Sequence, residues 1–199
     1  MKKFKLSDIK SYMQMFQDDQ YYKENTDKNQ LVIHHTVSGD GVINDIRYWM
    51  SLKSRIGTAV IINRNGIINQ VFSTRNWAHH IGVTDKIFKS LNLPNINKQL
   101  NINSIGIELD NWGGLKEKNG KYYAFPNNFS KVVVPTENVQ LYDKPYRGYY
   151  AFEKYTYNQI ETLMSFIVYC HKIYNIPLTY NDNIWDLNKD ALIGLKQFV

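Results

Sequence analysis

The sequence predicts a mixed α/β domain, and three observations carry that prediction. Short apolar runs, Leu31-Val32-Ile33 and Ser104 to Leu109, read as buried strands. Thr58-Ala59-Val60-Ile61-Ile62 and Ile67-Ile68-Asn69-Gln70-Val71-Phe72 flank Asn63-Arg64-Asn65-Gly66, which reads as a hairpin. Thr156 to Tyr174 carries apolar residues at helical spacing and reads as an amphipathic helix. Strands and helices alternate along the chain, as in folds that pack helices on a sheet.

The first thirty residues are polar and charged. Ser7 can cap a short helix reaching about Phe16, with Ile9, Met13 and Phe16 as a loose stripe, so residues 1–30 read as an arm laid against the domain. The first strand ends at His34-His35-Thr36 and is broken by Ser38-Gly39-Asp40-Gly41. Ile43, Ile46, Arg47, Met50 and Leu52 suggest a helix, with Trp49 flanking its stripe. Asn65-Gly66 suits a type I′ turn, where both positions need positive φ. Residues 112–150 alternate Gly, Asn and Tyr in short pieces and read as an inserted loop or hairpin region. In the long helix Thr156 is the expected cap, Ile160, Leu163, Met164, Ile167 and Val168 mark one face, and Asn175 and Pro177 end it.

Composition narrows the class. A chain of 199 residues with 43% apolar and 14% aromatic side chains is not a disordered one. At this length a fold buries roughly 70% of its unfolded surface, so it needs no disulfide scaffold. The single Cys170 allows none within the chain. Lys and Arg exceed Asp and Glu by 24 to 18, giving a net charge of +6, which favours anionic partners without choosing among them. No apolar run approaches the ~20 residues of a membrane span, so no membrane insertion is expected. Met1-Lys2-Lys3 lacks a following apolar stretch, and synthesis in the cytoplasm without a signal peptide is the expectation. Nucleic-acid binding would rest on charge alone, since no clustered basic helix is present.

The chemistry-bearing residues are few. His34-His35 and His79-His80 are adjacent pairs beside apolar segments, and imidazole is both a common metal ligand and an acid–base group. Local hydrogen bonding is the plainer role for a histidine, and it wins for His171, which sits inside the long helix. Glu108 lies between Ile107 and Leu109, where a carboxylate is costly to bury unless it is paired, hydrated or facing a cleft.

Four ordered motifs together resemble the zinc-dependent N-acetylmuramoyl-L-alanine amidases, the fold shared with peptidoglycan recognition proteins and amidase-type phage endolysins. They are Leu31-Val32-Ile33-His34-His35-Thr36, Gly57 to Gln70, Trp77-Ala78-His79-His80-Ile81-Gly82, and Asn101 with Ser104-Ile105-Gly106-Ile107-Glu108 and Asn111. The resemblance implies a central mixed sheet flanked by helices, with an amidase-like domain over 31–199 behind the arm. It implies zinc as cofactor, His34 as the first metal ligand and Glu108 as the acid beside the metal-bound water. His80, Trp77, Asn101 and Asn111 become substrate contacts. The implied reaction cleaves the amide between N-acetylmuramic acid and L-alanine of the stem peptide, with peptidoglycan as partner and the bacterial wall as place of action, reached after release or on a phage particle.

The resemblance is incomplete at two places. Val60 stands where some members carry a catalytic Tyr. The other zinc ligands, expected after the long helix, are not found, since no His or Cys follows His171. A catalytic zinc normally has three protein ligands and water. Three arrangements follow as expectations: ligands in a segment beyond Val199, a second chain that completes the site, or a degenerate relative. The last would bind peptidoglycan without cutting it, or build a phage particle.

Overall fold

The computed structural model describes residues 9–39, 41–124 and 132–179. Its architecture is mixed α/β, built on two sheets. The first sheet comprises β1 (Ile9–Ser11), β2 (Gln30–His35), β3 (Val60–Ile62), β4 (Ile68–Gln70) and β5 (Ser104–Leu109), in the order β1-β4-β3-β5-β2. Strands β2, β3 and β5 run parallel and β4 runs against β3, so the sheet is mixed. Helix α1 (Val42–Ser51) follows β2, and α2 (Asp85–Ser90) and α3 (Asn97–Asn103) lead into β5.

The second sheet occupies the region expected to be an insertion. It contains β6 (Gly114–Lys118), β7 (Lys121–Tyr123), β8 (Val133–Val134), β9 (Val139–Tyr146) and β10 (Tyr149–Glu153), in the order β8-β7-β6-β10-β9. All its pairings are antiparallel. Leu115, Ala124, Val134, Val139 and Ala151 give it a small core of its own. Helix α4 (Tyr157–Tyr174) then returns to the first sheet.

The main core joins Val60, Ile62, Ile105, Ile107 and Leu109 of the sheet to Leu163, Phe166 and Cys170 of α4 and Ile46 and Trp49 of α1. Side chains alternate across a strand, so Ile61 and Glu108 face the opposite side from Val60, Ile62 and Ile107. Helix α4 begins as its sequence predicts: the Thr156 hydroxyl accepts from Gln159 N–H and the Gln159 side chain accepts from Thr156 N–H. Gln159, fully buried, also donates to the carbonyls of Ile62 and Asp110. One glutamine thus fixes the helix start against the ends of β3 and β5. At the other end Asn175 takes a left-handed conformation (φ 56°), and His171 Nδ1 bonds the Ile176 carbonyl at 2.7 Å, the local role expected of it.

Several expectations are corrected. Residues 9–11 form a strand parallel to β4, not part of a helix, and Ser7 lies outside the described residues. Pairing with an open sheet edge, extended by Tyr12 N–H to the Gln70 carbonyl, outweighs a weak helical stripe. Phe16 and Tyr21 of the same segment belong to the main core. In the hairpin only Gly66 has positive φ (75°), so the turn is not type I′. Gly66 N–H bonds the Asn63 carbonyl and Asn63 N–H bonds the Ile67 carbonyl, the pattern of a type I turn closed by a left-handed glycine. A Cβ there would lie 2.6 Å from the Asn158 carbonyl oxygen, because α4 rests on the turn. Trp49 is buried rather than flanking. In α4 the inward face is Gln159, Leu163, Phe166 and Cys170, while Ile160 and Met164 are exposed.

Candidate active site

The parallel strands β2, β3 and β5 end on one side of the sheet, the place where α/β sheets commonly take ligands. In register there, His34 pairs with Glu108, and Glu108 with Ile61. Partners across a ladder share a face, so His34 and Glu108 project side by side. Two positions earlier on the same face is Gly106, and the ring of His80 lies over it. A Cβ at Gly106 would come 2.9 Å from His80 Cγ and from the Thr58 methyl. The glycine is what lets the imidazole reach the sheet.

His80 links two side chains. Its Nδ1 is 3.0 Å from His34 Nε2, and its Nε2 is 2.8 Å from Ser104 Oγ. The serine hydroxyl also lies 2.7 Å from the Leu100 carbonyl, which can only accept. The Ser104 proton therefore goes to Leu100, and Ser104 accepts from His80 Nε2–H. His80 Nδ1 then accepts from His34 Nε2–H. This order leaves Nδ1 of His34 with the available lone pair, the state an imidazole needs to bind a metal or take a proton.

Burial pushes the His34 imidazolium down to about 4, with His35 adding to the effect, and burial holds His80 well below the ordinary value. Both rings are neutral at pH 7. Glu108 moves the other way: burial, reinforced by the charge of Asp45 on α1, raises its carboxyl to about 8. Its Oε2 is buried without a hydrogen-bond partner among the described residues. Asp45 is itself raised to about 6 by burial, against a bond from Ser38 that lowers it. An unpartnered, protonated carboxyl beside neutral imidazoles is a group poised for proton transfer. Tyr155, just after β10, stands close by. Burial raises its phenol first, then the charges of Glu108, Glu153 and Tyr142.

The remaining sequence candidates hold the frame. Asn101 is fully buried, and its Oδ1 accepts from the N–H groups of His80 and Ile81 while its Nδ2 donates to the Asn97 carbonyl. It fastens the loop carrying His80. Asn111 donates to the carbonyls of Glu153 and Lys154 and accepts from Gly113 N–H, tying the end of β5 to the second sheet. The Trp77 indole is buried, stacked 3.8 Å from Tyr22, and donates to Glu24. His34, His80 and Glu108 come together, while Asn101, Asn111 and Trp77 are buried and bonded to neighbouring segments. Sequence reading passed over Ser104, Asp45 and Tyr155. Ser104 stood in the same motif as Glu108, and only the fold shows what it touches.

Replacing Ser104 with alanine should leave the buried His80 Nε2–H without an acceptor, a loss of about 1–3 kcal/mol. Denaturant unfolding checks the cost. The His80 imidazole signals by NMR should move with it, and a silent His80 would contradict the relay.

A zinc ion, implied by the sequence resemblance, finds one imidazole donor here. Among the described residues no group of three or more His, Cys, Asp or Glu converges to hold a metal ion. The described donor set does not fit a catalytic zinc shell.

The parallel strand ends thus bring a buried carboxyl beside two linked imidazoles on a mixed α/β frame. The sequence matches the Amidase_2 family, N-acetylmuramoyl-L-alanine amidase, over residues 24–194, and the chain belongs to that family of amidases. No curated protein matches it. Among solved structures it is similar to the N-acetylmuramoyl-L-alanine amidase LysC from Clostridium intestinale URNW, at 17% identity and a TM-score of 0.43, covering 84% of this chain and 77% of that one. It is similar also to the endolysin N-acetylmuramoyl-L-alanine amidase LysCS from the same organism, at 17% identity and a TM-score of 0.43, covering 84% of this chain and 76% of that one. Among the described residues no helix is long and apolar enough to cross a membrane.

Proposed function

We propose that this protein hydrolyses the amide between N-acetylmuramic acid and L-alanine of the peptidoglycan stem, acting on the bacterial wall as an endolysin-type enzyme. Glu108 carries the reading. It is the one residue of the cluster whose carboxyl is both unpartnered at Oε2 among the described residues and raised to about 8. Amide hydrolysis needs a proton taken from water and a proton given to the leaving amine, and a carboxyl titrating near the working pH serves both. His34 and His80, neutral and locked in one tautomer by Ser104, fix the floor of the cleft. Digestion of purified walls tests the reading: soluble stem peptides with a new N-terminal alanine should appear. If walls are bound but no such amine is released, the alternative of a non-catalytic peptidoglycan-binding module stands in its place.

Zinc is implied by the sequence resemblance alone, and among the described residues His34 Nδ1 is the one imidazole donor this site offers it. A single imidazole closes no stable first shell. Metal analysis of the dialysed 199-residue chain should therefore find clearly less than one zinc per molecule. One tightly held zinc, lost in His34→Ala, would mean that residues outside the described ones, or a second chain, complete the shell.

A further inference from the structure

The β9–β10 hairpin carries a group of aromatic rings that the amide chemistry does not use. Phe152 is its centre, with the ring of Tyr142 at 5.8 Å, Tyr149 at 6.1 Å and Tyr146 at 6.4 Å. Phe152 pairs with Gln140 on β9 and Gly114 on β6, so the rings share the face of the sheet on which Gly114 leaves a gap. Tyr149 fills that gap: a Cβ on Gly114 would come 2.6 Å from its Cγ. Tyr142 is 54% exposed and Tyr146 38% exposed, on a strand at the sheet edge. β9 carries the charges and proline usual on an edge strand, in Asp143, Lys144 and Pro145, and displays the two large rings on either side of them.

The platform approaches Glu108 through Tyr155, whose phenol is near enough to both Glu108 and Tyr142 for their charges to add to its burial. The ring of His35 packs against Gly113, the immediate neighbour of the glycine under Tyr149. Arg147 and Gly148 both have positive φ (49° and 84°), a tight turn that keeps the tip in place.

We propose that the β9–β10 hairpin is a carbohydrate-binding platform, taking N-acetylated pyranose rings of a wall glycan strand whose stem peptide lies in the Glu108 cleft. A pyranose offers a C–H face to an aromatic ring and hydroxyls at its rim to phenol groups, and Tyr supplies both from one rigid side chain. A single-stranded nucleic acid would instead need a ladder of near-parallel rings. Here Tyr142, Tyr149 and Tyr146 are inclined to Phe152 by 83°, 67° and 44°, so no ladder exists. The platform rests on the peptidoglycan reading of the cleft, and its test is separable from it.

Peptide-free N-acetylated glycan strands, titrated into the full chain and into a Tyr142→Ala/Tyr146→Ala double variant, report the platform without any hydrolysis. The wild-type chain should show shifts of the Phe152 and Tyr149 ring signals, and the double variant should bind about tenfold more weakly. With a small muramoyl-tripeptide the variant should keep the wild-type rate, while with intact walls its KM rises and kcat holds. Unshifted ring signals, equal glycan affinity, or an equal loss on small and polymeric substrates would each overturn the platform. So would tighter binding of a single-stranded oligonucleotide than of glycan. If neither chain hydrolyses anything yet glycan binding falls in the variant, the amidase reading fails and the platform stands. Should the double variant not fold, Tyr142→Ala alone and the wild-type titration decide the matter.

Discussion

Glu108→Gln is expected to lower turnover on peptidoglycan by roughly 10²-fold or more while the protein still folds. Glutamine keeps the size and one acceptor of the side chain but can neither take a proton from water nor pass one to the amine. With the carboxyl raised to about 8, kcat/KM of the wild type should climb with pH up to that region if the carboxylate is the base. The residual activity of the variant should lack that limb. Unchanged hydrolysis in Glu108→Gln would refute an acid–base role for this residue.

The same substitution has a signature in stability. The unfolded carboxyl releases its proton near its ordinary value of 4.5, while the folded one holds it to about 8. The folded state therefore binds more protons between these values, and stability falls as pH rises across that window. His34 acts in the opposite sense. Its folded value of about 4 lies below the ordinary 6.5, so its contribution is present above 6.5 and is lost as pH falls toward 4. Removing Glu108 deletes only the alkaline loss, which is on the order of a few kcal/mol. Denaturant unfolding at pH 5 and pH 9 should show the stability of Glu108→Gln rising relative to the wild type between them, since the histidines and Lys28, whose lowered values act in the opposite sense, contribute alike to both proteins.

Strands β2 to β5 are legible because they are short apolar runs that admit few other roles, whereas β1, Ile9-Lys10-Ser11, has no such pattern and reads as helix. Ser104–Leu109 and the start of α4 at Thr156 appear where the pattern placed them. What the pattern could not carry is pairing. That His34 stands beside Glu108 follows only from the register of β2 on β5. That Asn101 holds the His80 loop follows only from how α3 packs. A buried amide and a ligand-binding amide look alike in one dimension, because both are single polar residues between apolar ones. The inward face of α4 was misjudged for a related reason. Its apolar residues run most of the way round, so the contact with β3, not the count of apolar side chains, selects Leu163 and Phe166. Residues 112–150 read as an inserted loop or hairpin region, but not as a five-stranded sheet, because β9 is exposed along nearly its whole length and lacks the apolar alternation that marks a half-buried strand.

Removing Glu153 should cost about 3 kcal/mol and loosen the join between the sheets. Its carboxylate accepts from Arg64 Nη2 at 2.8 Å and from Trp112 N–H at 2.7 Å, with 8% of its side chain exposed. Arg64 belongs to the turn between β3 and β4, Trp112 to the link between β5 and β6, and Glu153 to the end of β10, so one group gathers the hairpin, the cleft edge and the second sheet. In Glu153→Ala the guanidinium of Arg64, only partly exposed, loses its counter-charge, and Trp112 N–H loses its acceptor. Breaking such a pair from one side is the costly operation, because the surviving charge stays where water is scarce. Arg64→Ala should be costly too, since it leaves the carboxylate, the more deeply buried partner, with the Trp112 N–H but no counter-charge. A double variant should cost less than the sum of the single losses. Urea unfolding of the three variants measures this directly, and additive losses would show that the ion pair contributes nothing to holding the second sheet against the first.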